Sequence, residues 1–142
     1  MDENWLQIRR YEGDGFQPLV AFNGWRVAVL NYLDALRPDR NDKMERHTGT
    51  DEVFVLLKGQ GTLLIGGCGQ QVDGIYPQEM EIGSLYNVRC NTWHTILLSQ
   101  DASVLLVEER ETGDHNSEYA TLSGELHQKI LEIARNGKSA YT

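Results

Sequence analysis

The chain has 142 residues, of which 40% are hydrophobic and 24% are charged, as in a single soluble globular domain with a core of its own. The formal net charge is −8 and the sequence pI is about 4.9, which argues against nucleic-acid and anionic-membrane partners because no basic stripe is present. No apolar run reaches the length of a membrane span, and acidic residues follow Met1 where a signal peptide needs basic ones. We therefore expect a cytoplasmic protein.

The N-terminal part of the sequence predicts an arm and a hairpin. Residues 1–11 carry scattered apolar side chains and are expected to form a short strand or a docking arm. The hairpin covers 17–32, where two apolar runs flank Asn23-Gly24. This dipeptide favours a tight turn because both residues tolerate positive φ. A polar loop over 37–43 follows.

Five further strands are expected, each short, apolar and bounded by glycine or polar turns. They cover residues 53–57, 62–65, 85–88, 93–98 and 103–108. Residues 74–81 and 108–118 are assigned to loops. An acidic run is expected to be a solvated turn; it comprises Glu108, Glu109, Glu111 and Asp114.

The chain closes with a predicted helix over about 123–136. Its apolar stripe at helical spacing consists of Leu126, Ile130, Ile133 and Ala134. Ser123 is expected to cap the start, and Gly137 stands where a left-handed residue would end the helix. Many short strands followed by one helix predict a single all-β domain over 1–142, an antiparallel barrel or jelly roll spanning about 17–110.

Three of the predicted strands are apolar on both faces, at 53–57, 95–98 and 104–107. A barrel wall with one face in water would instead alternate apolar and polar residues. We therefore expect the second sheet of a homodimer, the N-terminal arm or the terminal helix to cover the outer faces.

Two polar segments carry the residues of a candidate site. In the first, Glu45-x-His47 is followed after four residues by Glu52 and after six more by Gly59. This spacing resembles the first motif of the cupin superfamily, which ends in His-x-His, four residues, Glu, six residues, Gly. The second segment begins at Gly83 and resembles the second motif, in which His94 takes the place of the motif histidine.

The sequence departs from the cupin pattern at several positions. Glu45 stands where the first motif histidine would be, which weakens the expectation of a metal. The other departures leave the fold assignment intact; they are Asp39 for the leading Gly, Arg89 and Asn91 for Pro and Gly, and Leu98 for the trailing Asn.

The resemblance implies a cupin jelly roll that forms a homodimer and binds a small molecule. It also implies that His47, Glu52 and His94 hold a divalent ion of Fe, Mn, Ni or Zn. These metals bind imidazole nitrogens and carboxylate oxygens. Glu45 is then either a fourth ligand or a catalytic general base. Function is expected to involve a sugar or a small oxygenated acid, in an isomerase or dioxygenase type of reaction. The alternative is a metal-free pocket, either in a ligand-binding or sensing module or in an enzyme like the sugar-nucleotide isomerases.

Four more residues are assigned to the substrate pocket. Arg46 and Tyr86 are expected at its rim. Ile96 and Leu98 share the strand face of His94 and would make the interior partly apolar. Trp93 should point to the opposite face, where packing is expected.

Overall fold

The computed structural model describes residues 1–137 and Tyr141, and shows two five-stranded antiparallel sheets packed face to face with one C-terminal helix. This jelly-roll sandwich confirms the predicted all-β fold. The described strands are β1 (Gly15–Phe22), β2 (Trp25–Asn31), β3 (Lys43–His47), β4 (Glu52–Lys58), β5 (Gly61–Ile65), β6 (Tyr76–Glu79), β7 (Leu85–Val88), β8 (His94–Leu98), β9 (Ser103–Glu109) and β10 (Ser117–Thr121), and the helix is α1 (Gly124–Asn136).

The two sheets interleave strands from distant parts of the chain. The first has the order β1-β2-β9-β4-β7 and the second has the order β10-β3-β8-β5-β6. Each predicted strand from residue 53 onward is present within one or two residues of its expected bounds. The hairpin is confirmed too, with Phe22 paired to Trp25 across a turn in which Asn23 has a φ of 48°.

Three strands lie where loops, or no strand at all, were expected. β6 and β10 are the edges of the second sheet, and both are rich in polar residues, as edge strands often are. Pro77 in β6 is compatible only with an edge or a bulge, because proline donates no backbone hydrogen bond. β3 has Met44 as its one aliphatic side chain, so its sequence shows no apolar alternation.

The interior between the sheets is apolar and closely packed. Its buried residues come from β4, β5, β7, β8 and β9 and the segments beside them; they are Phe54, Leu56, Leu63, Met80, Val88, Ile96, Leu98, Ala102, Val104 and Leu106. Inward residues alternate with outward ones along each strand, which is the pattern that the pleat imposes. On β9 the inward set begins with Val104 and Leu106 and continues to Glu108.

The helix covers the outer face of the second sheet. Ile130 is fully buried and packs in a second apolar cluster with Met44, Leu64, Trp93 and Leu97. Ser123 caps the helix as expected, since its Oγ accepts a hydrogen bond from the Leu126 amide at 3.2 Å. The expected left-handed end is wrong, because Gly137 has a φ of −77°. Among the described residues, no helix is long and apolar enough to cross a membrane.

The N-terminal arm does not form the short strand that was one expectation. Residues 1–10 are exposed and Trp5 retains 81% of its accessible surface, so the arm covers little of the barrel. Cys68 and Cys90 are both free thiols.

Candidate metal centre

Four side chains from three strands meet at one end of the interior. Glu45 and His47 lie on the inward face of β3, and the strand pairing places Glu45 directly opposite His94 of β8. Glu52 begins β4 in the facing sheet. The site therefore joins the two sheets, and the structure brings together all four residues that the sequence predicts as metal ligands.

The donor atoms point at a common centre. Glu52 Oε1 lies 3.2 Å from His47 Nε2 and 3.1 Å from His94 Nε2. Glu45 Oε1 lies 3.8 Å from each of the same two nitrogens. The four ligand atoms, one from each residue, all lie within 4.8 Å of one another. Ligands about 2.0–2.2 Å from a zinc-like ion are separated by about 3–4 Å, so these residues fit a divalent ion.

Both imidazoles are oriented by a second hydrogen bond. His94 Nδ1 lies 2.9 Å from the carbonyl oxygen of Thr92, to which it donates. His47 Nδ1 lies 2.8 Å from Ser117 Oγ. In this structure each Nε2 is hydrogen-bonded to Glu52. If an ion took the place of the Nε2 protons, each ring would keep its proton on Nδ1 and present the Nε2 lone pair to the centre, which is the arrangement usual for metal-binding histidines.

The site reaches solvent through one of its four side chains. His47, Glu52 and His94 are buried, whereas the Glu45 side chain is 40% exposed. Below the site the ring of Phe54 meets His94 edge-on at 5.8 Å between centroids. A ligand would therefore approach from the side of Glu45, away from the packed core.

The ionisable groups shift one another's pKa in opposite directions. Burial disfavours the Glu52 carboxylate, but hydrogen bonds from His47 and His94 overcome this and lower its pKa. Burial also opposes charge on the two histidines, yet the Glu52 carboxylate raises the pKa of both. Burial raises the pKa of Glu45. A divalent ion would replace the protons that this cluster otherwise holds.

Glu108 is a fifth carboxyl group beside the site, and the sequence prediction placed it wrongly in a solvated turn. It is 5% exposed. Its Oε1 accepts hydrogen bonds from Arg26 Nη2 at 2.7 Å and Nε at 3.1 Å. Its Oε2 lies 3.8 Å from His47 Nε2. Burial and the neighbouring Glu52 raise the pKa of Glu108 to about 7, against the effect of Arg26.

The sequence does contain a signal for Glu108. Val104 and Leu106 are the inward residues of β9, so the period of two carries the inward face on to residue 108. Applying this alternation to the last residue of the predicted strand 103–108 is enough to place this carboxyl group in the interior.

The predicted pocket residues lie in three different surroundings. Arg46 does not join the cluster, because it projects from the opposite face of β3 and its guanidinium stacks 4.4 Å from the ring of Trp93. That contact confirms Trp93 as a packing residue. Ile96 and Leu98 face the interior as expected, but at 4% and 2% exposed they belong to the packed core beneath the site.

Tyr86 also packs partly against the interior core. Its hydroxyl accepts a hydrogen bond from the Glu81 amide at 2.8 Å. Tyr86 therefore supports the loop before β7, and its hydroxyl group has a structural partner.

Comparison with known proteins gives one family. Residues 22–112 match a family model described as auxin binding protein. The chain is 29% identical over 113 residues to auxin-binding protein 4 of Zea mays, covering 74% of this chain and 54% of that protein. It is 28% identical over 96 residues to auxin-binding protein 5 of Zea mays, covering 64% and 63%. The matches thus span only about half to two thirds of these relatives.

Solved structures share the fold at low sequence identity. Streptomyces PAC13 with uridine superposes with a TM-score of 0.52 at 12% identity, over 82% of this chain and 87% of that one. Another structure of Pac13, described as a nucleoside dehydratase, gives 0.51 at 11% identity, over 82% and 88%. Identities this low establish the fold alone.

Proposed function

Because the chain belongs to the auxin-binding protein family, a family of cupins, we propose that it binds a small molecule at a divalent metal ion held by His47, Glu52, His94 and Glu45. The observation that carries this proposal is the convergence of the four donor atoms within 4.8 Å of one another. The Nδ1 partners of both histidines support it, since they orient each ring with Nε2 directed at the common centre.

The donor set favours ligand binding over water activation. When bound, the ion would act as a Lewis acid that accepts electron pairs from oxygen atoms of the ligand. Glu45 and Glu52 together offset its two positive charges, which makes it a weaker acid than an ion held by three histidines and one glutamate. We therefore propose an oxygen-rich ligand, either a sugar or a small oxygenated acid, handled in an isomerase or dioxygenase type of reaction.

The auxin-binding relatives support the ligand class and leave the compound open. Their names describe proteins that bind auxin, and this chain shares 29% identity with one of them over 54% of its length. A small-molecule ligand is consistent with that description and with a largely buried site that reaches solvent at Glu45.

The proposal is tested by metal content. Protein stripped with chelator and then offered Mn²⁺, Fe²⁺, Ni²⁺ and Zn²⁺ in turn should retain about one ion per chain of at least one metal after gel filtration. Content well below one ion per chain for all four metals would contradict the proposal.

A metal-free pocket is the second candidate, and one observation favours it. Glu52 Oε1 already forms hydrogen bonds with both imidazoles, at 3.2 and 3.1 Å, so the cluster is satisfied without an ion. Glu45, the most exposed of the four residues, would then serve as a general base or as a hydrogen-bond acceptor for a ligand in a sensing module.

Substitutions of Glu45 distinguish a role as fourth ligand from a role as general base. As a fourth ligand, Glu45→Gln should weaken metal binding, and Glu45→His should retain it by restoring the usual cupin set. As a base beside an ion held by the other three residues, Glu45→Gln should leave the metal in place and affect turnover alone. Calorimetric titration of the stripped variants with Zn²⁺ separates these outcomes.

A further inference from the structure

The N-terminal arm, residues 1–10, carries apolar side chains that remain exposed in a single chain. Trp5 and Ile8 retain 81% and 69% of their accessible surface, and Leu6 between them is exposed as well. Among the residues that the structure describes, those of the arm form hydrogen bonds and ion pairs only with one another. Scattered exposed apolar residues are normal, but a cluster within four residues marks a contact surface.

The outer face of the first sheet is a second apolar surface without a cover. Residues of β2 alternate, so that Ala28 and Leu30 face the core and the residues between them face outward. The strand pairing aligns two rows of outward, partly exposed side chains across three strands. The rows are Val27, Val107 and Val53, and next to them Val29, Leu105 and Val55.

The base of the arm is fixed on this same face. Asn31 continues the outward set of β2, and its Nδ2 donates hydrogen bonds to the carbonyl oxygens of Tyr11 at 3.1 Å and Gly13 at 2.8 Å. The arm therefore leaves the domain on the side of the uncovered apolar rows. Residues 5–10 span about 20 Å when extended, at about 3.3 Å per residue. Five strands about 4.8 Å apart are about 19 Å across, so the arm is long enough to cross one sheet.

We propose that two copies of the chain exchange their arms: the arm of each copy lies across the outer face of the first sheet of the other. Trp5 and Ile8 then pack on the two rows of valine and leucine side chains. The contact is reciprocal, as two-fold symmetry requires, and exchange of an identical segment is a low-cost way to form a dimer.

The size of the face supports a contribution from the arm. Strands of seven residues make the face about 24 Å long, so its planar area is roughly 450 Å². A stable interface buries about 800 Å² on each partner. Contact between two such faces alone is therefore small for a stable dimer. One aromatic side chain adds about 150–250 Å², and the exchange adds a tryptophan from each chain.

Packing across the face suits the arm better than the addition of a strand beside β1. β1 is an edge of the first sheet, but it contains Pro18, which has no backbone N–H to donate. The register of β1 also shifts between Pro18 and Val20. Both features discourage further strand pairing at this edge.

The first test compares the dimers of two arm variants by sedimentation velocity. Trp5→Ala should raise the dissociation constant by about thirtyfold or more, the effect of removing one aromatic residue at the centre of an interface. The matched control is Gln7→Ala, which changes an exposed polar residue of the same arm and should leave the dissociation constant at its wild-type value. Both changes lie outside the folded domain, so both proteins should fold. Equal dissociation constants for the two variants would overturn the proposal.

The second test asks which chain the arm touches. Full-length protein with p-benzoylphenylalanine in place of Trp5 is mixed with isotope-labelled wild type and irradiated. We expect a covalent product of two 16.1 kDa chains, in which mass spectrometry places the cross-link on outward residues of β2, β4 or β9 of the labelled chain. A cross-link within one chain, or one outside the first sheet, would overturn the exchange. A wild type that is monomeric at micromolar concentration would also overturn it, without bearing on the proposed metal site between the two sheets.

Discussion

At the scale of single residues, the site depends on how Glu52 is shared. One oxygen of this carboxylate meets the Nε2 atoms of His47 and His94. Glu52, His47 and His94 follow from the cupin motif spacing, and their convergence needed only the motif. Glu108 needed the strand register, because charged residues follow it along the chain and its burial depends on β9 continuing, paired with β2, as far as Glu109.

The hydrogen bonds between Glu52 and the two histidines predict how the stability of the metal-free, chelator-treated protein depends on pH. The pKa values of His47 and His94 are raised by Glu52, although burial opposes this. The stability that the two histidines contribute to the folded protein is therefore fully present below the ordinary histidine pKa of 6.5. It is lost as pH rises through their raised pKa values. Glu108 acts in the same direction, since its pKa is raised to about 7.

Glu52 contributes in the opposite direction. Its pKa is lowered by the hydrogen bonds from both histidines, against the effect of burial. The stability that Glu52 contributes is therefore present above its ordinary pKa of 4.5 and is lost in stronger acid.

The melting temperature of the metal-free, chelator-treated protein should thus fall from pH 6 to pH 8, by about 2–4 °C for each kcal/mol lost. A melting temperature that rises over this interval would contradict the assigned network. Metal-loaded protein should behave differently, because binding requires deprotonated ligands and strengthens as pH rises.

At the scale of elements, the helix α1 is an integral layer of the fold. Ile130 is fully buried against the outer face of the second sheet. Ile130→Ala should lower the free energy of unfolding by about 2–5 kcal/mol, since it removes a large apolar side chain and leaves a cavity. The control is Glu132→Ala on the exposed side of the same helix. Equal urea midpoints for the two variants would show that the helix packs loosely.

The predictability of each element follows from its apolar content. β4, β8 and β9 contain continuous or alternating apolar runs, and the β1–β2 hairpin has Asn23-Gly24 at its turn, so sequence patterns were sufficient for these strands. β6 and β10 are polar edges, and β3 carries the ligands Glu45 and His47 in place of apolar residues. Strands whose side chains serve an edge or a site show little apolar periodicity, which is why these three were not predicted.

At the scale of the whole molecule, the outer face of the first sheet is apolar and exposed. Phe22, Leu57 and Leu85 retain 61%, 47% and 74% of their accessible surface, and the half-buried Val55 and Val107 lie on the same face. The helix covers the other sheet and the arm is exposed, so a second copy of the chain remains the expected cover.

We therefore predict a homodimer through this face. Light scattering at micromolar concentration should give the mass of two 16.1 kDa chains. Leu57→Lys should shift the equilibrium toward monomer, because a charge would be buried in the interface. A monomer mass for the wild type at that concentration would contradict the prediction.

The whole account depends on one ion shared by residues from both sheets, and His94 is its sharpest probe because it comes from a different strand and motif than the other three ligands. The most direct measurement is the metal content of wild type, His94→Ala and His127→Ala after loading with Zn²⁺ and gel filtration. His127 lies on α1 and contacts the carbonyl oxygen of Pro38 at 2.8 Å, so it serves as the matched control. We predict about one ion per chain in wild type and in His127→Ala, and a large loss in His94→Ala. The same metal content in all three proteins would contradict the account.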